Sequence, residues 1–289
     1  MPDRAEPRVP STCVTTPTAG DFRALARSSP WLWRTLRFTL RTPTAEPHGT
    51  DRLRAWVSRP RGLRAEELDG RVITAGWGPA ADQGMPELTG GPELRPDGLV
   101  ARRPADWIGP YRFDDPMLSN YRWVAMLHPF ELADGVDRDD EGLRDGHWSP
   151  ERSPIEVVDG PRMVEHAGRL TWDAEIVTTP AYAARCSCCP LLAGDEAAAQ
   201  LAREGWPRAD VGRPTSWRAR LDRDTGVLVQ LTELGGSSLS GGWTMTIEAV
   251  DEPMPRELFG PDLPGATTSV ITFSVDSSVD PSADHSVDP

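Results

Sequence analysis

"TLRFTLR", Thr35 to Arg41, alternates strictly. Leu36, Phe38 and Leu40 fall on one side of an extended chain, and Arg37, Thr39 and Arg41 on the other, because successive strand side chains point to opposite faces. A run of this kind belongs to a sheet with one buried and one wet face, the habit of antiparallel sheets. The segments that follow repeat it. "RLRAWVS" (52–58) groups Leu53, Ala55 and Val57, and "GLRAEELDGRVITAG" (62–76) reads as two more short strands. Upstream, "GDFRALARSSPWLWRTL" predicts a helix with Asp21 as its N-cap and Phe22, Leu25 and Ala26 on one face. Pro30 should end that helix at Ser29, since proline disfavours helical geometry in the residue before it.

The second half carries the same signature. "RLTWDAEIV" (169–177) sets Leu170, Trp172, Ala174 and Ile176 against Arg169, Thr171, Asp173 and Glu175. "DEAAAQLAREG" reads as a short helix from Asp195 to a stop at Gly205. "SWRARLDRDTGVLVQLTEL" (216–234) is two strands around the turn Asp222–Gly226, with Gly226 in the left-handed position. "GWTMTIEAV" points Trp243, Met245, Ile247 and Ala249 inward, after a glycine-rich hairpin loop, and "SVITFSV" (269–275) reads as a last strand.

Between the halves, Gly76 to Pro110 is rich in Gly and Pro and lacks periodicity, as in a long loop or lid. In "DDPMLSNYRWVAMLHPFELADG" (114–135), Asp115-Pro116 forms a helix start and Pro129 starts a turn that Gly135 ends. Residues 137–153 read as loop again. The order predicts an α+β fold: one large curved antiparallel sheet, a half-barrel, with a few helices on its concave face. A single domain over 21–275 would carry a loop insertion at about 76–153. Residues 1–20 and 276–289 are expected to be a disordered leader and tail, because their isolated apolar residues cannot offset an ordering cost of roughly 1–2 kcal/mol per residue.

Composition removes several functions. The formal charge is −13 over 289 residues, so the field repels phosphate backbones and nucleic acid is not an expected partner. All 31 basic residues are Arg, which excludes a lysine Schiff base or a P-loop lysine. Neither GxSxG nor HExxH occurs, and no catalytic residue is assigned. No stretch approaches the ~20 apolar residues of a membrane span, and "MPDRAEPRVPSTCVTTPTAG" has no apolar signal core. The expectation is a cytoplasmic protein with reduced thiols.

Several of these segments together resemble the bacterial lipoprotein-carrier and lipoprotein-sorting (LolA-like) family. Its half-barrel fold is shared by periplasmic carriers and anti-sigma-factor regulators. Gly168-Arg169 stand at the family's glycine–arginine step into a strand. Gly226-Val227-Leu228 follow the turn of its hairpin, and Asp251 to Pro253 with Phe259 end its final strand. The resemblance covers about 21–75 and 155–260 and implies the half-barrel. The insertion and the segment "CSCC" lie outside the family pattern, and its carriers are exported, so this chain would be a cytoplasmic variant.

Two stretches are candidate sites. The first supplies Met117, Tyr121, Trp123, Met126, Leu127 and Phe130, which either fill the core or line a pocket for an apolar ligand. With the alternating strands it suggests a non-catalytic binding or scaffold protein, whose partner is an apolar, lipid-like small molecule or a protein segment. The second, "RCSCCPLL" (185–192), puts three of the chain's four cysteines into four positions. In an extended segment Cys186 and Cys188 share a side and Cys189 faces away. The three cysteines would hold Zn or Cu, act in redox chemistry, or pack as small hydrophobes. A structural zinc needs a fourth ligand, which His128 or His166 would have to supply.

Overall fold

The computed structural model describes residues 16–42, 51–78, 91–104, 121–138, 144–206, 212–237 and 242–260. Strands β1 (Thr35–Arg41), β2 (Arg52–Ser58), β3 (Gly62–Glu67) and β4 (Val72–Trp77) step outward from the centre to one edge of a nine-stranded sheet. Two short hairpins follow, β5 (Glu93–Leu94) with β6 (Val100–Arg102) and β7 (Gly135–Arg138) with β8 (Arg144–Ser149). Strand β9 (Ile155–His166) then forms the opposite edge, and β10 (Arg169–Thr178), β11 (Ser216–Asp222), β12 (Leu228–Leu234) and β13 (Trp243–Val250) walk back to the centre. The order is β4-β3-β2-β1-β13-β12-β11-β10-β9, and its pairings are antiparallel. Segment 78–154 therefore carries the chain from one edge to the other. Helices α1 (Ala19–Leu32), α2 (Tyr121–Leu127) and α3 (Asp195–Arg203) complete the α+β architecture, with 3-10 turns at Phe130–Leu132 and Arg256–Phe259.

The sheet is open and curved. His166, at the tip of the β9–β10 hairpin, has Nε2 2.9 Å from the carbonyl oxygen of Met245 in β13. On a flat sheet four strand spacings, on the order of 19 Å, would separate those strands. The β12–β13 seam is also the thinnest: its register comprises Gln230↔Thr244 and Leu231↔Trp243, against an unbroken ladder from Thr35↔Ser58 to Arg41↔Arg52 between β1 and β2.

Alternation becomes burial as expected at Leu36, Phe38 and Leu40, at Leu53, Ala55 and Val57, and at Met245, Ile247 and Ala249. Two apolar clusters result. One lies under β10–β12 with Phe22 and Leu25 of α1, Tyr182, Leu192 and Trp217. The other lies under β1–β3 and β13 with Trp123, Val124, Met126 and Leu127 of α2. Leu32 and Trp243 pack against both.

The structure corrects four readings and adds a strand, β9, that the sequence pattern did not place. The cap of α1 is Thr18, whose hydroxyl accepts from Asp21 N while the Asp21 carboxylate accepts from Thr18 N, a reciprocal box; the helix thus starts at Ala19, inside the expected leader. It also runs through Pro30 to Leu32. Tertiary bonds hold that last turn: Ser29 donates to the Leu127 carbonyl at 2.6 Å, and Arg59 donates to the Ser29 carbonyl at 2.7 Å. The regions read as loop hold β5–β6 and β7–β8. Val100 of β6 is buried, with its amide on Ser28 Oγ at 2.7 Å and its carbonyl on Arg27 at 3.0 Å. Strand β9 has no alternation to reveal it; Gly160-Pro161 interrupts it, which an edge strand tolerates. At the start of β10 the pattern inverts. Leu170 is exposed, whereas Asp173 is buried and accepts from Arg220 at 2.8 Å and Arg218 at 3.0 Å. Residues 1–15 of the expected leader, the whole of the expected tail, "SVITFSV", the Asp115-Pro116 start and Met117 lie outside the described residues.

Candidate functional site

Residues 179–194 join β10 to α3, and Pro180, Pro190 and Gly194 keep this stretch from regular structure. Buried side chains tie it down at both ends. Tyr182 donates its hydroxyl to Glu131 Oε2 at 2.7 Å. At the far end Leu191 N donates to the same carboxylate oxygen at 3.3 Å, and Leu192 N donates to Tyr182 Oη at 3.0 Å. One Glu131–Tyr182 pair therefore closes the loop on itself. Gln200 of α3 brackets Ala184, accepting from its amide at 3.0 Å and donating to its carbonyl at 3.4 Å. Arg122 donates to the Pro190 carbonyl at 3.2 Å, and Arg185 to the His128 carbonyl at 3.2 Å. The Arg185 guanidinium also lies 4.6 Å from the Phe130 ring centre.

Between these anchors the chain turns, with Cys189 N donating to the Cys186 carbonyl at 3.2 Å. The turn corrects the extended reading, in which Cys189 faced away: all three sulfurs lie within 4.8 Å of one another. Cys186 Sγ is 2.8 Å from Cys188 Sγ, and Cys188 Sγ is 3.8 Å from Cys189 Sγ. No disulfide joins them; Cys188 is exposed, and Cys186 and Cys189 are half-buried. Hydrogen bonding from Cys189 is the largest influence on the Cys186 thiol. Burial opposes it, but with Cys188 and the backbone amides the thiol is lowered to about 5. Burial and the neighbouring Cys186 push the Cys188 thiol up. The cluster thus favours a single negative charge shared among three sulfurs.

The donor set fits a soft ion. Metal–sulfur bonds of about 2.3 Å in trigonal or tetrahedral arrangement need sulfurs roughly 3.8–4.0 Å apart; Cys188 and Cys189 already stand at 3.8 Å, whereas Cys186 and Cys188, at 2.8 Å, must part before both can hold one ion. Neither histidine joins them among the described residues. His166 is engaged with Met245, as above. His128 is buried beside Arg185, and burial with the Arg185, Arg59 and Arg103 charges holds it well below the usual histidine value.

The aromatic and methionine stretch is brought together as core. Trp123, Met126, Leu127 and Phe130 are buried, Trp123 against Phe38 with ring centres 5.3 Å apart and Phe130 against Trp148 at 4.8 Å. Met117 and the side chain of Tyr121 lie outside the described residues. A cleft of about 250 Å³ sits elsewhere, at the β12–β13 seam, lined by Arg41, Gln230, Leu231, Thr232, Trp243 and their neighbours. It is smaller than the roughly 300–1,000 Å³ of most ligand pockets.

Sequence reasoning missed the buried charges. Asp134 accepts from Arg27 at 2.7 Å and from Arg103 at 2.8 Å, all three buried. Burial raises the Glu131 carboxyl and the Tyr182 hydroxyl, so the pair holds its proton as a hydrogen bond. The signal was present in "PFELADG", where two carboxylates stand inside an otherwise apolar run.

No helix among the described residues is long and apolar enough to cross a membrane. No family model matches the chain, and no curated protein matches it. Among solved structures, a crystal structure of MucB is similar at a TM-score of 0.27 and 16% identity, covering 86% of this chain and 63% of that one. The complex structure of Pseudomonas aeruginosa MucA/MucB is similar at 0.26 and 14%, covering 83% and 60%. The chain thus spans less than two thirds of the length of both. At these TM-scores the likeness establishes no family, and the lipoprotein-carrier resemblance stays one of sequence pattern.

Proposed function

We propose that this protein binds a soft metal ion, Cu(I) or Zn²⁺, through the thiolates of Cys186, Cys188 and Cys189. The observation that carries the reading is the convergence of three sulfurs within 4.8 Å on a loop whose two ends are pinned by one buried pair. Thiolates select these ions over hard cations. Because the anchors fix the loop before any ion arrives, less ordering cost falls on binding. Each thiol that binds must give up its proton, so loading releases protons.

Metal analysis of protein purified without chelators is the test, followed by titration with Zn²⁺ and with Cu(I) under a non-coordinating reductant. One equivalent held by the wild type and lost in the triple Cys186→Ser, Cys188→Ser, Cys189→Ser variant is the expected result. Equal metal in both proteins, or no ion retained by the wild type, would overturn it.

A second reading, a binding or scaffold protein for an apolar small molecule or a protein segment, draws on the seam cleft with Leu231 and Trp243 in its wall. Mass spectrometry after incubation with a lipid extract checks it. A copurifying apolar compound lost in Leu231→Arg supports it, and none bound counts against it.

A further inference from the structure

We infer that Cys186 and Cys188 form a reversible disulfide with a low-molecular-weight disulfide as oxidant, and that this bond shuts the site to metal. The second half of the inference rests on the metal-binding reading; the first does not. Four observations carry it. The two sulfurs are already 2.8 Å apart, inside ordinary sulfur–sulfur contact, so bond formation asks for side-chain rotation rather than loop movement. Cys188 is exposed and therefore open to an oxidant in solution, whereas Cys186 is half-buried behind it and placed to complete the bond. The anchors at Tyr182, Ala184, Leu191 and Leu192 lie outside the four-residue turn, so they survive the change. A bond between the adjacent Cys188 and Cys189 distorts disulfide geometry, and their sulfurs stand 3.8 Å apart against 2.8 Å for Cys186 and Cys188, so Cys188 pairs with Cys186 and a Cys186–Cys189 link is the competing product.

The chemistry is two exchanges. Cys188 passes its proton to the neighbouring Cys186 sulfur, 2.8 Å away, and attacks one sulfur of glutathione disulfide, forming a mixed disulfide and expelling one glutathione thiolate, which takes that proton. The Cys186 thiolate then attacks Cys188 Sγ and expels the second glutathione thiolate, which is protonated from solvent. Two cysteine sulfurs are oxidised and one disulfide is reduced to two thiols. A reductant reverses both steps. The product leaves one thiolate where a soft ion needs several, so oxidation and metal occupancy exclude each other.

The full chain with Cys13→Ser gives a clean background for the test. Metal-free, reduced protein is first titrated with Zn²⁺ to score the metal reading by itself. Glutathione disulfide is then added to metal-free protein, and the peptides are mapped by mass spectrometry. The expected product is a loop peptide that has lost two hydrogens and carries a Cys186–Cys188 link, formed equally in Cys189→Ser. In Cys186→Ser the reaction should stop at a glutathione adduct on Cys188. Oxidised wild type should take up no Zn²⁺ and recover its binding on reduction. A stable adduct on wild-type Cys188, a link to Cys189, or covalent dimers would overturn the disulfide. Unchanged Zn²⁺ binding after full oxidation would overturn the gate. Failure of reduced protein to bind Zn²⁺ would instead remove the metal reading and the gate together, while the peptide map still decides the disulfide.

Discussion

The aromatic and methionine segment 121–132 and the thiol loop 182–192 are the two most unusual stretches of this chain, and they meet opposite fates. The first disappears into the core: Trp123, Met126, Leu127 and Phe130 are all buried. The second passes through the interior at Tyr182 and returns to it at Leu191 and Leu192, yet in between exposes Cys188, with Cys186 and Cys189 half-buried beside it. Apolar content does not separate them, because the loop "AYAARCSCCPLL" is also rich in small and apolar residues. Polar anchoring does. Glu131 belongs to the first stretch and holds both ends of the second, so the core segment serves as the base on which the thiol turn is displayed.

If that contrast is right, damage to the base should cost stability, and damage to the turn should cost metal. The largest effect is expected from Leu127→Ala, a fully buried side chain under the sheet. It should destabilise by about 2–5 kcal/mol in chemical denaturation, while folded protein keeps its metal stoichiometry. A loss below about 1 kcal/mol would mean that α2 is not core.

Next comes Tyr182→Phe. It leaves the Glu131 carboxylate and Leu192 N without the hydroxyl that links them, at about 1–3 kcal/mol. It should also weaken metal binding, because the loop ends are no longer tied. Tighter or unchanged binding would show that the anchors do not preorganise the turn.

The acid limb sharpens the comparison through His128. Its folded value is depressed by burial and by Arg185, Arg59 and Arg103, so the unfolded chain takes up this proton first. Stability from His128 is therefore present above about pH 6.5 and lost as pH falls below it, by up to ~1.4 kcal/mol per pH unit. Glu131 acts with the opposite sign. Its raised value favours the folded state in acid, and that contribution fades as pH climbs through the ordinary carboxylate range. Both proteins share the Glu131 contribution, so it cancels when wild type is compared with His128→Gln. The difference between their unfolding free energies should shrink from pH 7 to pH 5; a constant difference would place His128 in contact with water.

The smallest stability effect is expected for the triple Cys→Ser variant without metal, within about 0.5 kcal/mol of wild type, since the turn carries little of the core. A loss of several kcal/mol would mean that the cysteines are packing residues after all.

How much of this could be read from the residues depends on whether local pattern or distant partners decided the outcome. Leu36, Phe38 and Leu40, or Met245, Ile247 and Ala249, announce their buried face by period alone, and the sheet follows. Gly226 has φ +68°, the left-handed turn its position implied. Strand β9 was hidden by Gly160-Pro161, a break that its edge position and the register shift opposite Asp173–Glu175 accommodate. The end of α1 at Leu32 was hidden because Arg59 and Leu127, far along the chain, hold the turn that Pro30 should have ended. The cysteines were conspicuous from composition, but an extended chain would have split them two and one. Their convergence depends on a turn, and the turn on anchors 51 and 60 residues away in sequence at Glu131.

X-ray absorption at the metal edge of Zn²⁺- or Cu(I)-loaded protein tests the central claim most directly. The account predicts three sulfur neighbours at about 2.3 Å, in a spectrum that disappears with the ion in the triple Cys→Ser variant. A first shell of nitrogen and oxygen alone, or the same spectrum from the triple variant, would contradict it.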